Sequence, residues 1–102
     1  MQVQVRAVNF TADHKLVRFI ENKLDKLTLF HDQIIRSEVF LKLDNTTTEN
    51  KTAEILLAIP GKELFAKRSD KSFEGAADAA LEALRRQIRK EKTKLQKAAV
   101  GH

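Results

Sequence analysis

The stretch ALRRQIRKEKTKLQK, Ala83 to Lys97, places seven lysine or arginine residues between Arg85 and Lys97 against one acid, Glu91. The chemistry open to such a run is electrostatic. Guanidinium and ammonium groups donate charge-assisted hydrogen bonds to phosphate oxygens and release counterions from a polyanion as they do so. The charge is also local. The chain carries 19 Lys and Arg against 14 Asp and Glu, for a formal net charge of +5, and outside the window 85–97 there remain 12 basic and 13 acidic residues. A sequence pI near 9.7 combined with that clustering points to a nucleic acid or an anionic membrane rather than to an acidic small substrate.

Other chemistries find little support. Without cysteine there is neither a disulfide nor a thiolate. His14, His31 and His102 share no metal-ligand spacing and read as solvated histidines. Gly61, Gly75 and Gly101 are too scattered for a phosphate-cradling loop, and Ser37, Ser69 and Ser72 have no histidine in a recognisable relation to them. The expectation is a protein that is not an enzyme, with no metal, no cofactor and no small-molecule substrate. Asn45-Thr46-Thr47 and Asn50-Lys51-Thr52 match the glycosylation sequon, as a Thr-rich loop does by chance. The opening MQVQVRAVNF alternates polar and apolar residues where a signal peptide has a basic start and an apolar block, and no run approaches the roughly twenty apolar residues of a membrane span. A soluble cytoplasmic protein is expected.

The elements that must hold the basic run in place follow from hydrophobic periodicity. Val3, Val5 and Ala7 alternate with Gln2, Gln4 and Arg6, a strand over about 2 to 8. Asp13 offers an N-cap, and Leu16, Val17, Ile20, Leu24 and Leu27 recur at three- and four-residue steps, predicting a helix from His14 to near Leu29. From Ile34 the period is two again, with Ile35, Ser37, Val39, Leu41 and Leu43 on one face. The polar run Asp44 to Lys51 reads as a loop, Thr52 to Ile59 as a third strand, Pro60-Gly61 as a tight reversal, and Glu63 to Ser69 as a fourth strand. Ser72 is a candidate cap for a long second helix with Gly75 in its first turn. Counted at about 100° per residue from Leu84, the apolar Phe73, Ala77, Ala80, Ile88 and Leu95 fall within about 40° of one line. The fold class is therefore α+β: a single domain over 1–102 in the order β-α-β-β-β-α, a two-layer sandwich with a four-stranded sheet and both helices on one face, and residues 96–102 as a flexible C-terminal tail.

On that second helix Arg85, Arg86, Arg89, Lys90 and Lys97 spread over the side away from the apolar line. Cations suit a helix C-terminus, but dipole compensation is exhausted within the last turn, whereas these span more than three turns with almost no acids among them. One-sided charge of that density repels itself unless a polyanion relieves it. Arg85, Arg86, Arg89, Lys90, Lys92 and Lys94 are thus candidate phosphate ligands. Lys15, Lys23 and Lys26 on the first helix are expected to join them in one continuous positive groove, with Lys23 snorkelling out of the apolar arc. Lys42, Lys67, Arg68 and Lys97 are further candidates. Phe40, Leu56 and Phe65 fall on the sheet face turned from the helices, where aromatic rings either stack bases or pair across strands.

The element order, KLDKL (Lys23 to Leu27), FLKL (Phe40 to Leu43) and above all LRRQIRKEKTKL (Leu84 to Leu95) together resemble the short bacterial ribosome hibernation factors: the ribosome-associated inhibitor, hibernation-promoting or sigma-factor modulation proteins. The likeness spans essentially the whole chain. It implies a double-stranded-RNA-binding-domain-like sandwich that docks on the small ribosomal subunit and its rRNA, in the channel used by messenger and transfer RNA, and blocks translation by occupancy. By the same likeness Lys23 and Lys26 match lysines of the family's first helix, and Arg86, Lys90, Lys92 and Lys94 its basic ladder, which Arg85 and Arg89 extend. One departure is Ser72-Phe73-Glu74-Gly75-Ala76, where the family commonly has Asp-Met-Tyr-x-Ala. The family's long form carries an extra C-terminal domain for self-dimerisation; without it, the resemblance implies a monomer off the ribosome and a helper protein for any ribosome dimerisation. Two rival classes are a generic duplex-RNA binder and an anionic-surface interaction module. The second suits a helix with exposed Trp or Leu beside its lysines, and here the apolar stripe is mostly Ala and is needed for the core.

Overall fold

A computed structural model describes residues 2–29, 31, 33–44 and 48–100, with side chains described as far as Glu91. Strand β1 (Gln2–Val8) keeps Val3, Val5 and Ala7 half-buried and its alternate residues exposed. Helix α1 (His14–Thr28) starts where expected: Asp13 is extended, and its Oδ1 accepts the Leu16 N–H at 2.8 Å, satisfying one of the orphan donors of the first turn. The helix buries Leu16, Ile20, Leu24 and Leu27. In the turn beyond it the reading of His31 as solvated is overturned. The ring is buried, its Nδ1 accepting the Gln33 N–H at 3.1 Å while its own backbone N–H donates to the Leu27 carbonyl, so these two nitrogens serve the turn.

Strands β2 (Arg36–Leu43), β3 (Lys51–Ile59) and β4 (Lys62–Asp70) form an antiparallel meander, and β1 adds to its free edge parallel to β2, giving the order β1-β2-β3-β4. The inner face carries Ser37, Val39, Leu41, Ala53, Ile55, Leu57, Leu64 and Ala66, all buried. Ile35 and Leu43 were expected with them and are exposed; Ile34 is buried instead, because regular pairing begins only at Arg36 and the irregular residues before it break the alternation. Gly61, at φ +75, makes the left-handed step of the β3–β4 turn.

Helix α2 (Phe73–Val100) is capped as the sequence suggests, the Ser72 Oγ accepting the Gly75 N–H at 3.0 Å. Gly75 is required by a close approach, since a Cβ there would run into the Asp70 carboxylate. Phe73 stacks on Phe10 with centroids 4.7 Å apart and planes 11° from parallel, which ties the β1–α1 loop to the start of α2. Ala76, Ala77 and Ala80, wholly buried, let the helix lie close to the sheet, and Leu81, Leu84 and Ile88 continue the buried stripe. The helix packs on β3, β4 and α1 and remains helical to Val100, taking in residues 96–100 of the segment set aside above as a tail. At roughly 1.5 Å per residue its 28 residues reach about 42 Å and account for most of the 53 Å length of the molecule.

Leu84 has no exposed surface and lies in the middle of this packing. Leu84→Ala should lower unfolding free energy by about 3–5 kcal/mol in urea titration followed by circular dichroism. A loss under about 1 kcal/mol would show that α2 is not seated on the sheet as described.

Candidate nucleic-acid interface

Both helices run in the same direction across the sheet. Lys15 and Phe19 of α1 share a hollow of about 500 Å³ with Phe73 and Glu74 at the start of α2, and further along Lys23, Lys26 and Leu27 share a groove of about 460 Å³ with Asp78, Leu81, Glu82 and Arg85. The snorkelling expected of Lys23 takes place. Its Nζ lies 5.4 Å from the centre of the Phe19 ring and 3.4 Å from Asp78 Oδ1, so an apolar stem crosses the helix flank to an aromatic face and a carboxylate.

That carboxylate corrects the expectation of one continuous positive groove. The groove is of mixed sign: Asp78 faces Lys23, and Glu82 lies 3.8 Å from Arg85 and 3.9 Å from Arg86. The periodicity placed Asp78 and Glu82 on α2 without showing that they line the side facing α1. Lys26 is exposed and enters no ion pair among the described residues.

Past Glu82 the balance changes. Four-residue spacing sets Arg89 beyond Arg85 on the flank facing α1, and Lys90 beyond Arg86 on the outward side. Arg86, Arg89 and Lys90 are exposed and Arg85 is half-buried. Glu82 reaches Arg86 from the turn before it, at 3.9 Å, and Lys90 has no acidic partner among the described residues. Glu91, the single acid of the run, pairs with Lys62 at the start of β4, with Oε1 2.5 Å from Nζ. The side chains of Lys92, Lys94 and Lys97 lie outside the described residues; the helical backbone that carries them does not.

The remaining candidates are dispersed. Lys42 is on the sheet face opposite the helices, 2.7 Å from Glu54, and Lys67 pairs in register with that same Glu54. Arg68 is exposed and donates to the Lys67 carbonyl at 2.8 Å. Arg36 bridges to Glu63 at 2.9 Å on the same open face. Phe65, half exposed, lies opposite Leu56, while Phe40 lies opposite Glu54, so the two rings are not cross-strand partners: β3 stands between their strands. Among the described residues no group of three or more His, Asp or Glu side chains could hold a metal ion, and no helix is long and apolar enough to cross a membrane.

A two-layer β-α-β-β-β-α sandwich with a cationic second helix has known counterparts. The chain belongs to the sigma 54 modulation protein / S30EA ribosomal protein family, whose model matches residues 3–96. It is 30% identical over 95 residues to the ribosome hibernation promoting factor of Escherichia coli, covering 93% of this chain and 97% of that one. With the factor of the same name from Pseudomonas putida it shares 28% over 101 residues, 99% of this chain and 96% of the other. The ribosome hibernation promotion factor of Deinococcus radiodurans is 29% identical over 100 residues, 95% of this chain but only 52% of that longer protein. In fold it is similar to a ribosomal subunit interface protein from Coxiella burnetii, with TM-score 0.82 at 18% identity over 91% of this chain and 99% of that one. It is also similar to the Protein Y N-terminal domain of Thermus thermophilus, with TM-score 0.77 at 23% identity over 88% and 98%.

Because Asp78 neutralises the groove, Asp78→Asn should elute from a heparin column at higher salt than wild type. The shift should exceed that of Glu49→Gln, which changes net charge equally in the β2–β3 loop and does not line the groove. Equal shifts would mean that net charge, not the groove, governs polyanion affinity.

Proposed function

We propose that this chain is a ribosome hibernation factor that binds rRNA of the small ribosomal subunit in the channel for messenger and transfer RNA and inhibits translation by occupying it. The observation that carries the reading is the exposure of Arg86, Arg89 and Lys90 along α2, with Arg86 3.9 Å from Glu82 and Lys90 in no ion pair among the described residues, in a family whose relatives are named for ribosome hibernation. The ligands on this reading are Arg85, Arg86, Arg89, Lys90, Lys92 and Lys94, with Lys26 beside them and Lys23 entering as its pair with Asp78 opens. Lys15 and Lys97 are outer contacts of the same face. Lys42 and Lys67 belong to the opposite face of the sheet, and Arg68 to the edge strand, which makes them the weakest of the set.

The physics suits the task. Rows of cations on a rigid helix bind phosphates with little regard to base sequence, and the shape of the ribosomal channel chooses the site. No bond is made or broken, so the protein acts as a plug and not as an enzyme. Its place of action is the cytoplasm, it is a monomer off the ribosome, and any pairing of ribosomes is the work of a helper protein. Release follows from competition by ligands of the same channel.

The triple variant Arg86→Glu/Lys90→Glu/Lys94→Glu should lose at least about tenfold in affinity for purified small subunits in co-sedimentation. Transfer RNA should displace the wild-type protein. Unaltered sedimentation of the variant would remove α2 from the mechanism, and equal affinity of the wild type for naked duplex RNA would favour a generic duplex binder.

A further inference from the structure

Glu91 is the one acid within the basic run, and its side chain is only 19% exposed, against 46% for its partner Lys62. Lys62 is the first residue of β4, immediately after the Pro60-Gly61 reversal, and in register with Ile59, the last residue of β3. Helix α2 runs back along β4. Gln87 Nε2 donates to the Phe65 carbonyl at 2.9 Å, and one turn later Glu91 reaches the beginning of the strand. The sheet ends at that level. The nine helical residues 92–100 continue about 13 Å past it, carrying Lys92, Lys94 and Lys97 in the sequence.

The pair therefore occupies the fulcrum of a lever. A swing of about 10° at Glu91 would displace the end of the helix by about 2 Å, several times the few tenths of an ångström that separate a good hydrogen bond to an oxygen from a poor one. We propose that Lys62 and Glu91 are positioning residues, whose ion pair seats the base of the basic extension on the β3–β4 turn and holds its cations in line for a phosphate backbone. The proposal rests on the rRNA-binding reading of α2. It explains why an acid stands in a segment otherwise selected for positive charge: it is turned to a lysine outside the segment, where it anchors the helix.

Charge and anchoring make opposite predictions, which gives the test its force. Glu91→Gln raises the net charge by one next to a polyanion site, so electrostatics alone demands tighter binding. The anchor demands weaker binding. Affinity for purified small subunits is to be measured at one fixed salt concentration for wild type, Glu91→Gln, and the exchange Lys62→Glu/Glu91→Lys, which restores the pair with unchanged net charge. Thermal unfolding by circular dichroism accompanies each.

The expected result is binding by wild type, a loss of about two- to fivefold in Glu91→Gln from the size of a half-exposed ion pair, and recovery to within about twofold in the exchange. Glu91→Gln binding as well as or better than wild type overturns the anchor. So does a loss that the exchange fails to restore, or one that merely follows a fall in melting temperature. Failure of the wild type itself to bind small subunits overturns the rRNA reading and is thereby distinguished from failure of the anchor.

Discussion

Close packing of α2 on β3 and β4 governs the rest of the molecule. Three wholly buried alanines, Ala76, Ala77 and Ala80, let the helix approach the sheet, and Leu81, Leu84 and Ile88 extend the contact toward its middle. A helix seated by a narrow apolar line has one rotation available, because any other buries a guanidinium or ammonium group without a partner. Arg86, Arg89 and Lys90 are therefore left exposed by the same contacts that stabilise the fold. Stability and potential have one origin here.

That constraint also sorts charge by sign along α2. Its first three turns bear Glu74, Asp78 and Glu82, which suit the positive end of the helix dipole and, through Asp78, pair with α1; from Arg85 onward the sequence bears the arginines and lysines. The open face of the sheet is largely neutralised by its own ion pairs, Arg36 with Glu63 and Lys42 with Glu54, around Phe65 and Leu56. The proposed function accordingly assigns polyanion contact to the exposed cations of α2 and not to these surfaces of mixed sign. On that proposal, the position of the cations and not the net charge of +5 alone directs binding.

Much of this was legible in the sequence, for physical reasons. Caps at Asp13 and Ser72, the alternation in β2 and β3, the Pro60-Gly61 reversal and the exposure of Arg86, Arg89 and Lys90 on α2 are all local signals, with the periods of 2.0 and 3.6 residues among them. What the sequence left open depends on which elements become neighbours. The neutralisation of Lys23 by Asp78 arises only because α1 and α2 lie side by side, and the pairing of Glu91 with Lys62 only because β4 begins beneath it. His31 was misread since its burial comes from tertiary packing around a short turn, which periodicity does not report. Ile35 failed for the converse reason, as the strand rule was extended one residue beyond the regular ladder.

The central claim is that ordered cations on one helix face neutralise a set of RNA phosphates together. The salt dependence of small-subunit affinity measures that number directly. With about six to eight phosphates engaged, log K against log salt concentration should fall with a slope of roughly −4 to −7. A slope shallower than about −2 would mean that few phosphates are engaged, and would contradict the account.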